Sequence, residues 1–429
     1  MKVDRLWRGE PLPPAADAGR STTLSRAVFY MVAFGTLTGF LWAYLQGFYR
    51  FKGFPLNTFL FKPEVHMTDL TMFFPLLERN VPYAERAVYP PLNFVLMEPF
   101  SWIGNTPATV LWVIVGAGGL AAFLAVEFDF LHIADRLAIS IGLVVFSYPF
   151  LFAFDRGNVE IFVTLALAAG VYCLQRRNFG FSGALFGAAG ALKVYPIIFL
   201  ALLLIRRKWI ASLTGLVAAA LLTQVASALY GFTLPRMVET LNSNVSIFNY
   251  WFLVGDGGLA FGNSLFGATK ILFTNAGDLE QANSLLAVYS WVIPAGFLAA
   301  AVAVWLLPLR LWEQVTLLTV ALVVLPSSSG DYRLLHFLVP LALFLRLGAG
   351  SRLRWWYAVL FALLLVPKAF VLLRPDGTNL GVVLNPLVML LLAAMVVGTG
   401  VARLARKRSG RRAAAPAAEG ASAGTVAPQ

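Results

Sequence analysis

Long runs of apolar residues, separated by short polar or basic segments, occupy most of the chain. A helix needs about 20 apolar residues to cross about 30 Å of hydrocarbon, and many of these runs approach that length. The pattern therefore predicts an all-α polytopic membrane protein with about twelve transmembrane helices. The predicted spans are 27–49, 107–128, 137–154, 158–175, 179–191, 194–205, 209–230, 283–307, 311–326, 334–347, 355–373 and 382–402.

Two neighbouring runs, 179–191 and 194–205, are too short to cross a membrane singly. Each holds about a dozen residues, which is about 18 Å of helix. Basic residues lie just before the first run and just after the second. The pair is predicted to form a hairpin with the sequence ALKVYP (191–196) at its tip, where Pro196 ends or kinks the second arm. A charged Lys193 at such a tip is costly in lipid, so it should face water, a partner charge or a ligand.

Composition excludes a soluble protein and changes the meaning of the net charge. The chain is 59% hydrophobic and 13% charged, with a mean hydropathy of +0.75, whereas soluble domains are about a quarter charged. The net charge of +12 comes from clusters of Lys and Arg at the ends of the runs. Such clusters mark cytoplasmic loops and contacts with lipid headgroups. They favour a plasma-membrane protein with both termini in the cytoplasm and no nucleic-acid partner.

The same reading divides the chain into four parts. A cytoplasmic tail (1–26) precedes a first membrane module (27–210), and a second membrane module (211–402) precedes a basic and then disordered cytoplasmic tail (403–429). Two long loops, 50–106 and 231–282, are predicted to face the extracytoplasmic side. Long ordered loops tend to carry function. The apolar stretch 91–103, interrupted by Pro99, is predicted to lie along the membrane face.

Unusual polar residues gather on this extracytoplasmic side. Arginine and lysine suit a phosphate, and a carboxylate that faces them can act as a general base towards a hydroxyl. The segments therefore predict one polar cavity for a phosphate-linked donor and a hydroxyl acceptor. The cations are Arg156, Lys193 and Arg333, the carboxylates are Asp69, Asp155, Glu160 and Asp331, and the tyrosines are Tyr89 and Tyr195.

Simpler interpretations exist for several of these residues. Arg156, Glu160, Asp331 and Arg333 suit interfacial anchors as well as a site, and Tyr89 suits an aromatic belt. His336 suits packing inside an apolar run. The histidines lack metal-ligand spacing, and a single cysteine, Cys173, excludes a cysteine-based zinc site.

Three segments in order resemble glycosyltransferase family 87 of the GT-C superfamily. They are TDLTMFFPLLERNVPYAERAVYPPL, DRGNVEIF and GAAGALKVYPIIFLALLLIRRKW, from the first span to about residue 210, with a weaker likeness in PSSSGDYRLLHFLVPL (326–341). The resemblance implies a GT-C helical bundle with membrane-parallel helices in the first loop. Its residue roles are a catalytic base at Asp69, donor-phosphate ligands at Lys193, Tyr195 and Arg333, and sugar or acceptor contacts at Tyr89, Arg156, Asn158, Glu160 and His336.

The resemblance also implies the reaction. A sugar, with mannose favoured, would move from a polyprenyl phosphate to a hydroxyl of a glycolipid or polysaccharide acceptor on the extracytoplasmic side, with inversion. No DxD pair lies near Asp69, which favours a metal-independent enzyme without cofactors. The alternatives are an arabinofuranosyltransferase that uses decaprenyl-phosphate arabinose and, from another class, a transporter or flippase of a lipid-linked sugar. A structural membrane scaffold is a more distant alternative, because it leaves Lys193 without a purpose.

Overall fold

The computed structural model describes residues 18–49, 67–80, 82–83, 87–255, 262–274, 277–368, 371, 373 and 378–414. Most of this described part is helical, and an isolated antiparallel bridge pairs Gly262 with Gly330. The predicted N-terminal tail up to residue 17, residues 50–66 of the first predicted loop and the predicted disordered tail from residue 415 lie outside the described residues.

Eighteen described α-helices, numbered here in chain order, form the bundle. They are α1 (Ala18–Tyr49), α2 (Thr68–Thr71), α3 (Phe74–Glu78), α4 (Pro91–Ser101), α5 (Asn105–Glu127), α6 (Ile133–Val145), α7 (Tyr148–Arg156), α8 (Glu160–Gln175), α9 (Phe179–Leu192), α10 (Ala201–Leu204), α11 (Trp209–Leu229), α12 (Leu234–Phe248), α13 (Leu265–Phe273), α14 (Leu279–Leu306), α15 (Leu311–Val324), α16 (Leu338–Leu347), α17 (Arg354–Leu365) and α18 (Leu380–Ala414). Two 3₁₀ segments (Tyr195–Leu200 and Asp331–Phe337) and one π-helical segment (Asn249–Val254) join them.

The described helices confirm an all-helical membrane protein but not twelve full spans. Helices α1, α5, α11, α14 and α18 are long and apolar enough to cross a membrane, and the pair α6 and α7, bent by 56°, makes a sixth candidate. The other predicted spans correspond to shorter helices, namely α8, α9, α15 and α17, and to two segments broken by 3₁₀ turns.

The short helices have a common physical cause. Helix α8 begins at Glu160, α9 ends at Leu192 just before Lys193, and α15 ends at Val324 shortly before Ser327. Regular helix therefore stops where polar residues are brought together, and the apolar runs that surround this point are divided into half-length pieces. Hydropathy alone records the apolar residues and not the break, so it does not distinguish a full-length span from a half-length piece.

The predicted hairpin is present, and small residues hold it against the bundle. Helix α9 and the segment Tyr195–Leu200 pack on each other on either side of Lys193. A Cβ atom built at Gly183 or Gly187 would collide with backbone oxygen atoms of α11. Because only glycine permits this approach of the two backbones, the glycines of α9 set the depth of the hairpin tip. The Asn93 side chain of α4 donates to the carbonyl of Leu192, 2.7 Å away, and fixes that tip from the other side.

Helix α4 begins at Pro91, inside YPPL, where the sequence predicted a helix. The first turn suits proline because its missing N–H has no helical partner there. At the other end of the chain, α18 continues through the predicted basic cluster as far as Ala414. The regular helix thus extends about three turns beyond the predicted end of the last span at residue 402.

Charged pairs join the helix ends that lie farthest from Glu160 and Lys193. Arg346, at the end of α16, contacts Asp129 at 2.7 Å, and Arg403 of α18 contacts Glu313, near the start of α15, at 2.5 Å. Helix α8, whose first residue is Glu160, extends 16 residues towards this end, which is about 24 Å. Arg346 and Arg403 therefore lie towards this end of the bundle, and the side of the membrane that it faces stays a prediction.

Candidate active site

A cavity of about 660 Å³ opens between the breaks in the short helices. Residues from the first loop, the hairpin tip, the second loop and the segment after α15 surround it. Its charged and aromatic lining consists of Asp69, Tyr89, Phe152, Arg156, Lys193, Tyr195, Phe248, Phe252, Phe266, Lys270, Tyr332 and Arg333. Among the described residues of this lining, cations outnumber carboxylates, so the cavity suits an anionic ligand.

Helix α2 carries Asp69 and is docked against the corner between α7 and α8. The amide of Met67, which precedes α2, donates to the carbonyl of Asp155 at 2.7 Å. The corner itself turns at Gly157, whose φ of 66° favours glycine. A Cβ atom at Gly157 would lie 2.7 Å from the Cβ atom of Leu70, so a larger residue would push α2 away. This corner therefore determines where the Asp69 carboxylate lies.

The Asp69 carboxylate is partly buried at the cavity and is held in one orientation. Asn158 donates its side-chain amide to Asp69 Oδ2 at 2.7 Å. Burial raises the pKa of Asp69 above its usual value, while the hydrogen bond from Asn158 and the charges of Arg156 and Lys193 act in the opposite direction. A raised pKa makes a carboxylate a stronger base, which is what abstraction of a hydroxyl proton requires.

Lys193 presents its ammonium to the same cavity. Its backbone is extended, with φ −146° and ψ 133°, and this break turns the side chain out of the helical row. The ammonium lies 5.0 Å from the centre of the Tyr89 ring and 6.0 Å from that of Tyr332. Aromatic faces stabilise a cation without neutralising it, so the positive charge remains available to a ligand.

Glu160 lies beneath Lys193 and joins the cationic side of the cavity into one network. Its Oε1 atom is 3.4 Å from Lys193 Nζ and 3.2 Å from Arg333 Nε, and its Oε2 atom is 3.0 Å from His336 Nε2. The other ring nitrogen of His336 contacts Thr164 at 2.8 Å. One carboxylate is thus shared by the ammonium of Lys193 and the guanidinium of Arg333, which leaves positive charge in excess in this wall.

One N–H group of the Arg333 side chain makes no hydrogen bond within the described residues. Its guanidinium lies 5.4 Å from the centre of the Tyr195 ring, and only 8% of its side chain is exposed. Its Nη1 atom is buried and has no hydrogen-bond partner among the described residues. A buried donor without a partner is costly, and a bound anionic oxygen would satisfy it.

The structure brings the predicted site residues together, some in the cavity lining and some directly behind it. Six of them line the cavity, namely Asp69, Tyr89, Arg156, Lys193, Tyr195 and Arg333. The other three lie behind that lining and contact it: Asn158 on Asp69, and Glu160 with His336 beneath Lys193 and Arg333. The sequence predicted all three as sugar or acceptor contacts, and the structure instead surrounds them with protein groups.

Two carboxylates that were expected in the cavity are directed elsewhere. Asp331 is buried, where it accepts hydrogen bonds from Tyr148 at 2.8 Å and Asn263 at 2.7 Å. Asp155 is also buried and lies 3.8 Å from Arg156. Each precedes a lining arginine in the sequence by one or two positions, and neighbouring side chains on a helical turn point in different directions.

Sequence analysis missed three contributions to the lining. Tyr332, next to Arg333, faces Lys193. Lys270 and an apolar group around Phe248 and Phe252 come from the second predicted loop. The length of that loop was a signal of function, but its apolar residues resembled ordinary packing positions.

The fold and this cavity define a class: a polytopic helical membrane protein with a charged, partly enclosed site between its helices. Residues 87–328, more than half of the chain, match the profile of glycosyltransferase family 87, and the chain belongs to this family. It is therefore a membrane glycosyltransferase. No curated protein and no solved structure matches the chain.

The extent of the match differs from that of the resemblance seen in the sequence. The resemblance was placed from the first span to about residue 210, whereas the matched region begins after Asp69 and continues through the second loop. The loop that supplies Lys270 and the apolar lining is therefore part of the region shared with the family.

Proposed function

We propose that this membrane glycosyltransferase moves a sugar, with mannose favoured, from a polyprenyl phosphate to a hydroxyl of a glycolipid or glycan on the extracytoplasmic side. The observation that supports this is the placement of Asp69 and Lys193 in the lining of one cavity. A carboxylate suits the acceptor hydroxyl, and an ammonium suits the phosphate of the donor.

The reaction is a single displacement with inversion. The acceptor oxygen forms a bond to the anomeric carbon while the bond from that carbon to the phosphate oxygen breaks. Asp69 takes the hydroxyl proton, and polyprenyl phosphate leaves with the bonding electron pair. Positive charge develops on the sugar and negative charge on the phosphate, so a carboxylate on one side and cations on the other stabilise the transition state.

The cations that would hold the leaving phosphate are Lys193 and Arg333, with the Tyr195 hydroxyl beside them. Their shared partner Glu160 keeps both side chains in place and leaves positive charge in excess. The buried Arg333 Nη1 atom, which has no partner among the described residues, supplies a donor for a phosphate oxygen. Arginine binds phosphate oxygens through several N–H groups at once, which also orients the group.

The remaining predicted residues act on the sugar or through other residues. Tyr89 and Arg156 line the cavity beside Asp69 and are placed to contact the sugar or the acceptor. Asn158 orients the base through its 2.7 Å hydrogen bond. We assign Glu160 and His336 to positioning of the cationic wall and not to direct sugar contact. We further propose that these cations make a metal ion unnecessary, so that transfer continues in the presence of EDTA.

The experiment that tests the proposal uses Asp69→Asn in purified protein reconstituted in lipid. Radiolabelled polyprenyl-phosphate mannose is supplied with a membrane glycolipid extract, and labelled glycolipid product is measured. We expect a loss of turnover of about 10²- to 10⁴-fold, the usual contribution of a general base, with unchanged membrane insertion. Near-normal turnover in this variant would remove Asp69 from the role of base.

The same assay separates the alternatives. If label crosses the bilayer without entering a new product, the protein is a flippase and not a transferase. A donor of arabinofuranose would use the same base and phosphate ligands, so it is offered in parallel, and the mass of the product identifies the sugar. Proteolysis of the segment 231–282 in sealed vesicles of known orientation tests the extracytoplasmic placement of the cavity.

A further inference from the structure

Lys270 is a buried cation of the cavity wall that the proposed reaction does not use. It lies on α13, is 6% exposed and belongs to the cavity lining. Its ammonium donates to three successive carbonyls, those of Leu253 at 3.1 Å, Val254 at 2.8 Å and Gly255 at 2.8 Å. These bonds direct the ammonium, with its three N–H groups, towards backbone carbonyls and make it a poor candidate for a phosphate ligand.

The three carbonyls are at the end of the π-helical segment Asn249–Val254. The last carbonyls of a helix have no partner within it and carry partial negative charge. A lysine that donates to all three satisfies them and opposes that charge. Isolated π-helical turns are rare and often occur at functional sites, so this segment depends on an external partner to keep its geometry.

The segment supplies Phe252 and Leu253, the middle of the apolar wall of the cavity, which we define as Val245, Phe248, Phe252, Leu253 and Phe266. The rings of Phe248 and Phe252 stack with centroids 4.7 Å apart. Leu253 and Phe266 belong to one buried cluster with Tyr289. The apolar wall therefore consists of residues from α12, the π-helical segment and α13. Lys270, which lies on α13, links that helix to the π-helical segment.

We propose that Lys270 is a positioning residue that holds the apolar wall in the shape that receives the hydrocarbon chain of a lipid-linked substrate next to the charged part of the cavity. This inference rests on the proposed function, because it presumes that a lipid-linked substrate enters the cavity. The cavity presents Asp69, Lys193 and Arg333 as well as the apolar wall. A ligand with a charged head and an apolar chain is the kind that satisfies both surfaces.

The chain that meets the apolar wall belongs either to the polyprenyl donor or to a glycolipid acceptor. Asn244 of α12 donates to the carbonyl of Ala87 at 2.9 Å, close in sequence to Tyr89. The apolar wall thus begins beside the segment that carries Tyr89 and ends at α13. Both substrates share the relevant chemistry, a long hydrocarbon chain attached to a polar head.

The test uses Lys270→Met, which keeps the apolar stem and removes the charge and its donors, and Gly255→Ala as an independent variant. A Cβ atom at Gly255 would lie 2.5 Å from the carbonyl oxygen of Trp251, so Gly255→Ala displaces the end of the π-helical segment without changing any charge. The matched control is Lys208→Met, which removes an exposed lysine over the Phe179 ring. Lys270→Arg, which keeps the charge and the donors, should restore part of the behaviour.

Two readouts are combined in reconstituted protein. Hydrogen–deuterium exchange of the amides at 249–255 should increase in Lys270→Met and Gly255→Ala and stay unchanged in Lys208→Met. Steady-state transfer is measured with donors of long and short prenyl chains and with intact and deacylated acceptors. We expect the preference in kcat/KM for the longer chain to fall about tenfold in one of the two series, mainly through KM.

Each outcome decides the proposal. A loss of preference in the donor series assigns the apolar wall to the prenyl chain, and a loss in the acceptor series assigns it to the acyl chain. Unchanged preference in both series, or unchanged exchange at 249–255, overturns the proposal. A fall in kcat at constant KM would also overturn it, because Lys270 would then act on the reacting groups. If the wild-type protein transfers no sugar at all, the proposed function fails, while the exchange data still report whether Lys270 holds the segment.

Discussion

Buried charges lie towards both ends of the bundle, and their arrangements differ. Towards one end two arginines each have a carboxylate of their own: Arg346 pairs with Asp129 and Arg403 pairs with Glu313. At the other end Lys193 and Arg333 share the single carboxylate of Glu160. The first arrangement is balanced locally, and the second leaves a positive charge facing a cavity of about 660 Å³.

This difference separates charges that support the fold from charges that are available to a ligand. Removing a charge from water is costly unless a partner charge and hydrogen bonds compensate it. The paired arginines satisfy that requirement within the protein. The cavity cations satisfy it only in part, and the anionic substrate that we propose would complete it. Unequal sharing of partners is thus a sign of function that a count of buried charges would not reveal.

The largest effect that would sharpen the comparison is expected from Lys193→Ala. This change removes the more exposed cation of the shared pair and leaves Glu160 with Arg333 and His336, an arrangement closer to the balanced pairs at the other end. We expect turnover to fall about 10²- to 10³-fold, as when one electrostatic contact to a developing charge is removed. Initial rates with saturating donor measure it, and thermal unfolding in detergent should show a folded protein. A rate within a factor of three of wild type would mean that the phosphate binds elsewhere.

The second prediction concerns the shared carboxylate. Glu160→Gln keeps the shape and removes the charge, so Lys193 and Arg333 lose the group that aligns them but gain net positive charge. We expect kcat to fall about 10- to 100-fold, by analogy with the removal of outer partners in other sites, while the KM for the donor does not rise. Glu313→Gln makes the same chemical change at the other end and should leave kcat unaltered. A raised KM with unchanged kcat in Glu160→Gln would restore the interpretation of Glu160 as a direct sugar contact.

Much of the site was predictable from the sequence because of where its residues fall along the apolar runs. Asp69, Arg156 and Lys193 lie at breaks or ends of such runs, where a charge is either an anchor or part of a site, and all three line the cavity. The break at Lys193 was visible because two adjacent runs are too short to span. Hydropathy therefore located the polar lining even though it did not distinguish full-length spans from half-length pieces.

The rest depended on side-chain direction and on long-range packing. Asp331 is only two positions from Arg333, yet it turns towards Tyr148 and Asn263 and away from the cavity. Such directions follow from the 3₁₀ turn, which the sequence did not indicate. Lys270 and Phe252 reach the cavity through contacts between α13 and the π-helical segment, and nothing in their local sequence distinguishes them from packing residues.

The third prediction concerns the pH dependence of kcat/KM, which tests Asp69, the carboxylate in the cavity lining. Burial raises the pKa of Asp69, and the base must be ionised to accept a proton, so kcat/KM should fall as the pH drops through this raised value. A hydrogen bond to a carboxylate stabilises its ionised form. Removal of the Asn158 hydrogen bond in Asn158→Leu should therefore move the acid limb of the profile to higher pH. Rates measured across the acidic range in both proteins check the shift, and an acid limb that moves to lower pH would show that Asn158 does not act on Asp69 in this way.

The smallest effect on activity is expected from Arg346→Met, at the balanced end. Arg346 is almost completely buried, and it donates to the carbonyl of Glu127 at 3.0 Å as well as to Asp129. Its loss should lower the free energy of unfolding by about 1–3 kcal/mol because hydrogen bonds from a buried charged group are removed. Asp129 is 44% exposed, so water can take over part of its interaction. Turnover per folded molecule should remain at the wild-type level.

Arg26→Gln, which breaks an exposed pair with Asp135, should change neither stability nor turnover measurably. If Arg346→Met lowered turnover as strongly as Lys193→Ala while the protein stayed folded, the two ends would be coupled, and the division into structural and ligand-facing charges would not hold.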